Sequence, residues 1–307
     1  MRIVLISLVF IAQAAWASEK PTGEFAGYAG WWLRNARVEA FVIAEPYARV
    51  IAFRPIGGEN PLHVSREYEY FGIRTWFLEP EQNALSPLPA LEPASAETMA
   101  EGGLRLLAAP ADSAGLQLCM EISLHKTEPI LHIRHGMKNL RPAQRRIALW
   151  ALNVIKPDGG VGVAPWRSEN RQHFIFWPNT DPDQDGLHLG RRTLAVDYRV
   201  LPRHGWLKVG TDTDRGWVAY VYGERALRSS VAHVANGVYP EGGGTVTMFN
   251  STSEIFDGKE RFGEIENVGP LSDVQPDNWL WMDQELEIIS GLQGDNPEEW
   301  IEMLDAR

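Results

Sequence analysis

The sequence of 307 residues contains a single cysteine, Cys119. No disulfide can form within the chain, so its stability has to come from packing. Basic residues are also scarce, because 29 lysines and arginines stand against 40 aspartates and glutamates, which gives a formal net charge of −11. An acidic surface repels phosphate backbones, and we expect no nucleic acid among the partners. No apolar run reaches the roughly 20 residues that span a bilayer, so we expect no stable membrane insertion once the N-terminal signal segment described below has been cleaved.

Motifs of several enzyme and cofactor classes are missing as well. The chain has no G-x-S-x-G elbow, no Walker A loop and no H-E-x-x-H zinc motif. One calcium motif is partial, since residues 181–186 read DPDQDG but the twelfth position is Arg192, where a bidentate glutamate is required. We therefore expect no metal and no organic cofactor, and we interpret this segment as an acidic turn. Calcium binding stays open for Asp181, Asp183 and Asp185.

The first 17 residues have the three-part pattern of a secretory signal peptide. Arg2 supplies a positive charge, residues 3–15 form a short apolar run, and residues 15–17 read AWA, a small-x-small cleavage site. We predict a signal peptide over 1–17 and one mature domain over 18–307, located in the periplasm or secreted. The lack of disulfides favours the periplasm. An uncleaved membrane anchor is the alternative interpretation.

Alternation of apolar and polar residues dominates the rest of the chain. Residues 116–124 alternate with the period of two that is typical of a half-buried strand, and residues 131–138 repeat the pattern. Residues 147–155 are apolar on both faces, which predicts a central strand. The segment 84–97 is rich in proline and alanine and is interpreted as a loop insertion. Asn296 is a good N-cap for one short C-terminal helix. We predict an all-β fold, a large antiparallel β-sandwich with that helix at its end.

Two long stretches resemble galactose-mutarotase-like (aldose-epimerase-like) domains. Residues 131–165 read LHIRHGMKNLRPAQRRIALWALNVIKPDGGVGVAP, and residues 261–288 read RFGEIENVGPLSDVQPDNWLWMDQELEI. The second stretch departs from the family pattern because its last turn, QPDN, lacks the usual glycine. The segments FGIRTWFLEPEQ and WLKVGTDTDRGWVAY add to the match. The resemblance covers most of 37–289 and is strongest to an uncharacterised branch, a domain of unknown function.

The resemblance implies a supersandwich with a concave sugar groove, in which a glutamate acts as general base and a histidine as general acid. Opening a hemiacetal requires one oxygen to lose a proton and another to gain one. Glu264 or Glu266 matches the carboxylate position. Trp150 stands where epimerases commonly carry the histidine, so we do not expect an ordinary aldose 1-epimerase. His132 is the candidate substitute for that acid.

Other residues are candidates for sugar binding. Most tryptophans are interpreted as core, but Trp76 and Trp150 occupy site-like positions in the resemblance, where indole faces stack on sugars. Tyr239 either lines the groove or closes a turn. Four charged side chains lie at strand ends among apolar neighbours, where an inward charge must be paired or functional and an outward one has no role. They are Arg74, Glu79, Lys156 and Lys208.

The sequence therefore predicts an exported carbohydrate-active protein that binds or acts on a sugar or polysaccharide in a groove. Two alternatives stay open, a non-catalytic carbohydrate-binding module and a structural periplasmic protein. The identity of the sugar, the reaction, whether the protein is an enzyme, and the oligomeric state are left open as well.

Overall fold

Two large antiparallel sheets make up almost all of the structure, a computed structural model that describes residues 19–80, 84–86, 88–166, 174–253 and 260–306. The twelve-stranded sheet contains β1 (Gly23–Phe25), β2 (Tyr28–Arg34), β3 (Val38–Ile43), β4 (Arg49–Pro55), β5 (Ile73–Glu79), β6 (Ala84–Ser86), β11 (Arg145–Ile155), β13 (Phe174–Phe176), β16 (Trp206–Thr211), β19 (Val246–Ser251), β20 (Gly263–Val268) and β21 (Ser272–Val274). The ten-stranded sheet contains β7 (Ala94–Thr98), β8 (Leu104–Ala108), β9 (Leu116–Leu124), β10 (Ile130–Asn139), β12 (Val161–Pro165), β14 (Leu187–Leu189), β15 (Thr193–Asp197), β17 (Trp217–Tyr222), β18 (Arg225–Val231) and β22 (Trp279–Ser290). The predicted fold class is confirmed.

The strand order brings distant parts of the chain together. The twelve-stranded sheet runs β1-β2-β3-β4-β5-β11-β20-β19-β16-β13, with β6 paired to β5 and β21 paired to β11. The ten-stranded sheet runs β14-β15-β12-β17-β18-β22-β10-β9-β8-β7. Strand β11 therefore lies in the middle of the first sheet. It is buried along nearly its whole length, as its apolar residues on both faces predict.

The main core lies between the two sheets and follows the alternation in the sequence. Leu118, Met120 and Ile122 of β9 are fully buried against the same cluster as Leu149 and Ala151 of β11. Because side chains alternate across a strand, the neighbours of these residues point away from that core. The second face of the twelve-stranded sheet carries the candidate site described below.

One interpretation made from the sequence is wrong. Residues 84–97 do not form a loop insertion but contain β6, a 3₁₀ helix over Leu88–Leu91 and the start of β7. Ser86 pairs with Phe77 of β5, and β7 pairs along its whole length with β8. Short edge strands of this kind are stabilised by their partners, and their own sequence carries little apolar alternation.

The C-terminal helix, α1 (Pro297–Asp305), begins where the sequence predicts. The Asn296 side chain accepts a hydrogen bond from the Glu299 backbone N–H at 3.1 Å, so it is the N-cap. Ile301 and Leu304 are buried against β12, β15 and β17 of the ten-stranded sheet. The helix covers the face of these strands that points away from the main core.

Two further predictions concern membranes and processing. Within the described ranges, no helix is long and apolar enough to cross a membrane. The predicted signal peptide, 1–17, lies outside the described residues. Both the cleavage and the division into 1–17 and 18–307 stay predictions.

Candidate functional site

A row of charged and aromatic side chains crosses five neighbouring strands of the twelve-stranded sheet. Register places Arg74 of β5 level with Leu152 of β11, and Leu152 level with Glu266 of β20. Glu266 is in turn level with Thr247 of β19. Since residues two apart on a strand share a face, Glu264 lies on this face as well. We call it the site face and define it by the residues that contact one another there: Arg74, Trp76, Trp150, Lys208, Thr247, Glu264 and Glu266.

Two ion pairs occupy the centre of the site face. Arg74 Nη2 donates to Glu264 Oε1 at 2.6 Å, and Lys208 Nζ donates to Glu266 Oε2 at 3.0 Å. The Thr247 hydroxyl donates to the same oxygen of Glu266. Arg74 and Glu266 are 0 % exposed and Glu264 is 5 % exposed. The four formal charges balance, which is what allows them to be buried together.

Aromatic rings cover both cations. The Arg74 guanidinium carbon lies 4.6 Å from the centre of the Tyr70 ring and 4.7 Å from that of Trp76. Lys208 Nζ lies 4.4 Å from the centre of the Trp150 ring. Cations over aromatic faces are attracted by the ring quadrupole, which offsets part of the cost of removing them from water. The rings therefore hold both cations in place beside the carboxylates.

The electrostatics single out Glu264. Burial raises the pKa of its carboxyl from 4.5 to about 6, while the neighbouring Arg74 guanidinium opposes the rise and the Glu266 carboxylate adds to it. Burial is the largest cause, because it penalises the charged form of the acid. A carboxyl with a pKa near 6 can both accept and donate a proton close to neutral pH.

Four polar atoms of the site face have no hydrogen-bond partner among the residues that the structure describes. They are Arg74 Nε, Trp76 Nε1, Trp150 Nε1 and Glu266 Oε1. Each is closed off from bulk water, and leaving such an atom unpaired costs about 1–3 kcal/mol. Three are donors and one is an acceptor. None of the four is in contact with solvent, so a ligand atom reaches them only if neighbouring side chains move.

The structure brings together six of the residues that the sequence singled out, namely Arg74, Trp76, Trp150, Lys208, Glu264 and Glu266. It places the other four elsewhere. Glu79 accepts two hydrogen bonds from Arg145, and alternation along β5 puts it on the face opposite Arg74. Lys156 follows β11 and lies 3.5 Å from Glu59 in an exposed ion pair.

His132 and Tyr239 are also away from the site face. His132 is on β10 of the other sheet, where its Nδ1 lies 3.4 Å from Glu285. His132 is therefore not a neighbour of Glu264 or Glu266, because β10 belongs to the ten-stranded sheet and both glutamates lie on the twelve-stranded sheet. The Tyr239 hydroxyl accepts a hydrogen bond from the Val234 N–H at 2.9 Å, and its ring stacks on His233. Tyr239 thus closes its own loop.

Three residues of this region were missed by the sequence analysis. The Tyr70 ring lies over Arg74, and the centre of the Trp177 ring lies 5.4 Å from Lys208 Nζ. Thr247 binds Glu266. Alternation over 245–249 puts Thr247 and Phe249 on one face, but only the pairing with β20 reveals which face it is.

Two groups of carboxylates, those of the site face and those of the turn over 181–186, are the candidates for holding a metal ion. No group of three or more His, Cys, Asp or Glu side chains in the described part of the chain could hold a metal ion. In the turn that resembles a calcium loop, Asp181 accepts a hydrogen bond from the Asp183 N–H at 3.0 Å and pairs with Arg203. Its carboxylate is therefore already engaged within the turn.

Solved structures share this architecture, although no protein-family model and no curated protein matches the sequence. A galactose mutarotase-like protein from Lactobacillus casei superposes with a TM-score of 0.59 at 10% identity, covering 85% of this chain and 100% of that one. One from Clostridium acetobutylicum gives 0.56 at 9% identity, covering 88% and 98%. An aldose 1-epimerase-like protein from Escherichia coli gives 0.54 at 10% identity, covering 85% and 99%. The chain therefore has the galactose mutarotase-like fold.

Proposed function

We propose that this protein is carbohydrate-active and that it binds a sugar on the site face. The observation that carries the proposal is the meeting of two ion pairs beside the partly exposed indole ring of Trp76, where the Lys208 and Glu264 side chains keep 14 % and 7 % of their surface exposed. A sugar ring offers hydroxyls that both donate and accept, and apolar C–H faces that stack on indoles. The names of the fold's solved neighbours, which refer to mutarotases, agree with such a ligand.

Glu264 is the residue that we assign to proton transfer. In the proposed ring opening its carboxylate takes the proton of the anomeric hydroxyl, the bond between the anomeric carbon and the ring oxygen breaks, and the proton is delivered to that ring oxygen; a pKa of about 6 permits both transfers near neutral pH. Arg74 stabilises the carboxylate form through its hydrogen bond at 2.6 Å. Glu266 is fully buried and is held in one orientation by Lys208 and Thr247, so its role is to keep Lys208 in place. This chemistry uses side chains alone.

A non-catalytic sugar-binding protein is the second candidate. Trp150 lies under Lys208, at the position where the family resemblance leads us to expect a histidine. In the described residues neither Glu264 nor Glu266 pairs with a histidine, and both carboxylates pair with a cation. Such a site would bind a sugar without a second group to complete the proton transfer.

The substitution Glu264→Gln separates these candidates. Tryptophan fluorescence would report binding of monosaccharides and short oligosaccharides, and NMR of the anomeric protons would report turnover of the sugars that bind. For the enzyme we expect turnover to fall by at least about 100-fold while binding is retained, since a general acid–base contributes about that much. For the binding protein we expect no turnover in either form.

Glu39→Gln is the matched control for this experiment. Glu39 is also a buried glutamate of the twelve-stranded sheet, and it pairs with Arg34 and Arg54 at 2.9 Å each. It lies on β3, two strands beyond β5. Equal losses in both variants would mean that the effect is structural. Failure of the wild-type protein to bind any sugar in the panel would overturn the proposal.

We also propose that the protein acts outside the cytoplasm. The support is the sequence pattern over 1–17 and the expected cleavage after Ala17. N-terminal sequencing of the protein recovered from the periplasmic fraction should begin at Ser18. Recovery of the uncleaved chain from the cytosol would overturn this part of the proposal.

A further inference from the structure

Two stacked tryptophans stand on the outer face of the ten-stranded sheet, away from the site face. Trp279 and Trp281 are two residues apart on β22, and their ring centres are 5.1 Å apart with planes inclined by 22°. Both are partly exposed. Gly136 of β10 is level with Trp281, and a Cβ at that position would lie only 2.3 Å from the indole Cζ3. The absence of a side chain at Gly136 therefore leaves room for the Trp281 ring to lie against β10.

Paired charges border these rings. The Arg134 guanidinium carbon lies 4.6 Å from the centre of the Trp281 ring. Arg134 also approaches Glu121 at 3.7 Å, and Arg105 donates to Glu121 at 2.7 Å. Asp283 lies 3.6 Å from Arg134. Each cation beside the rings has a carboxylate partner, so this border has no strong excess of either charge.

The rings also border an open depression that continues along the sheet. A cavity of about 340 Å³ is lined by Trp279, Trp281 and residues of β7, β8 and β9. It shares Glu97, Arg105 and Glu121 with a much larger open cavity of about 1630 Å³. The larger cavity extends past His132 of β10. We call this continuous depression the outer trough. Its smaller part alone has the volume of a small-ligand site.

We propose that the outer trough is a second carbohydrate site, which binds an extended neutral oligosaccharide on Trp279 and Trp281. Partly exposed indole surface beside hydrogen-bonding charged groups matches a sugar, which is apolar on its ring faces and polar around its edge. Carboxylates outnumber the lysines and arginines along the outer trough, so a polyanion has no advantage there. The continuation of the cavity past the rings suits a chain of several sugar units. This inference does not rest on the function proposed for the site face.

Calorimetric titration of the whole protein with neutral hexasaccharides tests the inference. The probes are cellohexaose, xylohexaose, mannohexaose and maltohexaose, with polygalacturonate as the anionic comparison. We expect at least one neutral hexasaccharide to bind more tightly than its trisaccharide. Trp279→Ala and Trp281→Ala should each weaken that binding at least about tenfold, because each removes indole surface that lines the trough. Trp281→Phe should restore part of it.

Two control variants separate this site from the site face and from loss of folding. Trp32, on β2 of the other sheet, is also a partly exposed tryptophan with arginine side chains over its ring. Trp32→Ala should leave hexasaccharide binding unchanged. Glu264→Gln should leave it unchanged too. The inference is overturned if no neutral hexasaccharide binds, if polygalacturonate alone binds, or if binding survives the double substitution of Trp279 and Trp281. A loss caused by Glu264→Gln alone would place the ligand on the site face.

Discussion

Replacing Glu264 with glutamine removes a buried acid whose charge the fold disfavours, while keeping its shape. Because burial raises the pKa of Glu264 from 4.5 to about 6, the folded protein binds more protons at this site than the unfolded chain between those two pH values. A group of this kind adds stability below its unfolded pKa, and that contribution is lost as the pH rises through the folded pKa. Glutamine does not titrate, so the variant lacks this dependence.

The size of the effect follows from the difference between the two pKa values. It corresponds to about 2 kcal/mol of unfolding free energy. We therefore expect the free energy of unfolding of the wild type, minus that of Glu264→Gln, to fall by about 2 kcal/mol from about pH 4 to about pH 7.5. Taking the difference cancels the contributions of the other titrating groups. The remaining change belongs to Glu264 and its contact with Arg74.

Urea unfolding of both proteins across this pH range measures the quantity. The change should be concentrated between about pH 4.5 and pH 6, where the two states differ in proton uptake. A difference that is independent of pH would show that Glu264 titrates normally. A difference that grows with pH would mean that Arg74 lowers the pKa of Glu264 more than burial raises it. Either result would show that burial does not dominate the electrostatics of Glu264 on the site face.

Three further predictions concern buried groups elsewhere in the chain. His135 is buried between Thr75 and Gln284, and burial lowers its pKa from 6.5 to about 4. We expect its imidazole NMR signals to show no protonation above about pH 5. We also expect about 3 kcal/mol of unfolding free energy to be lost as the pH falls from 6.5 to 4. Arg145→Met leaves the buried Glu79 carboxylate unpaired and should lower the unfolding free energy in urea by about 3–5 kcal/mol, with a smaller loss for Arg145→Lys. Burial raises the pKa of Cys119 to about 12, and the residue is only 2 % exposed. A thiol reagent should therefore label it slowly in the native protein and completely in urea, and rapid native labelling would contradict this.

Local patterns in the sequence predicted the strands that carry the core. The alternation over Leu116–Leu124 and the apolar run in β11 reflect a periodicity of two that each segment carries by itself. The same rule places Glu264 and Glu266 on one face of one strand. The short strands of 84–97 were missed because their stability comes from pairing with β5 and β8 rather than from their own pattern.

The contacts of the site face could not be read from the sequence. Arg74 and Glu264 are 190 positions apart, and they meet only because β11 lies between β5 and β20 at one particular register. His132 shows the converse case. Alternation correctly places it on the polar face of β10, but no local pattern tells that β10 belongs to the other sheet.

The sequence by itself determined the all-β architecture, the two carboxylates on one strand, and the absence of disulfides. Each of these follows from composition or from the alternation of neighbouring residues. Only the tertiary structure decided that Glu264 pairs with Arg74 while Glu266 pairs with Lys208, and that the pKa of Glu264 is raised. The reason is physical, because strand register and burial arise from long-range packing, and they set which charges meet and how much water reaches them.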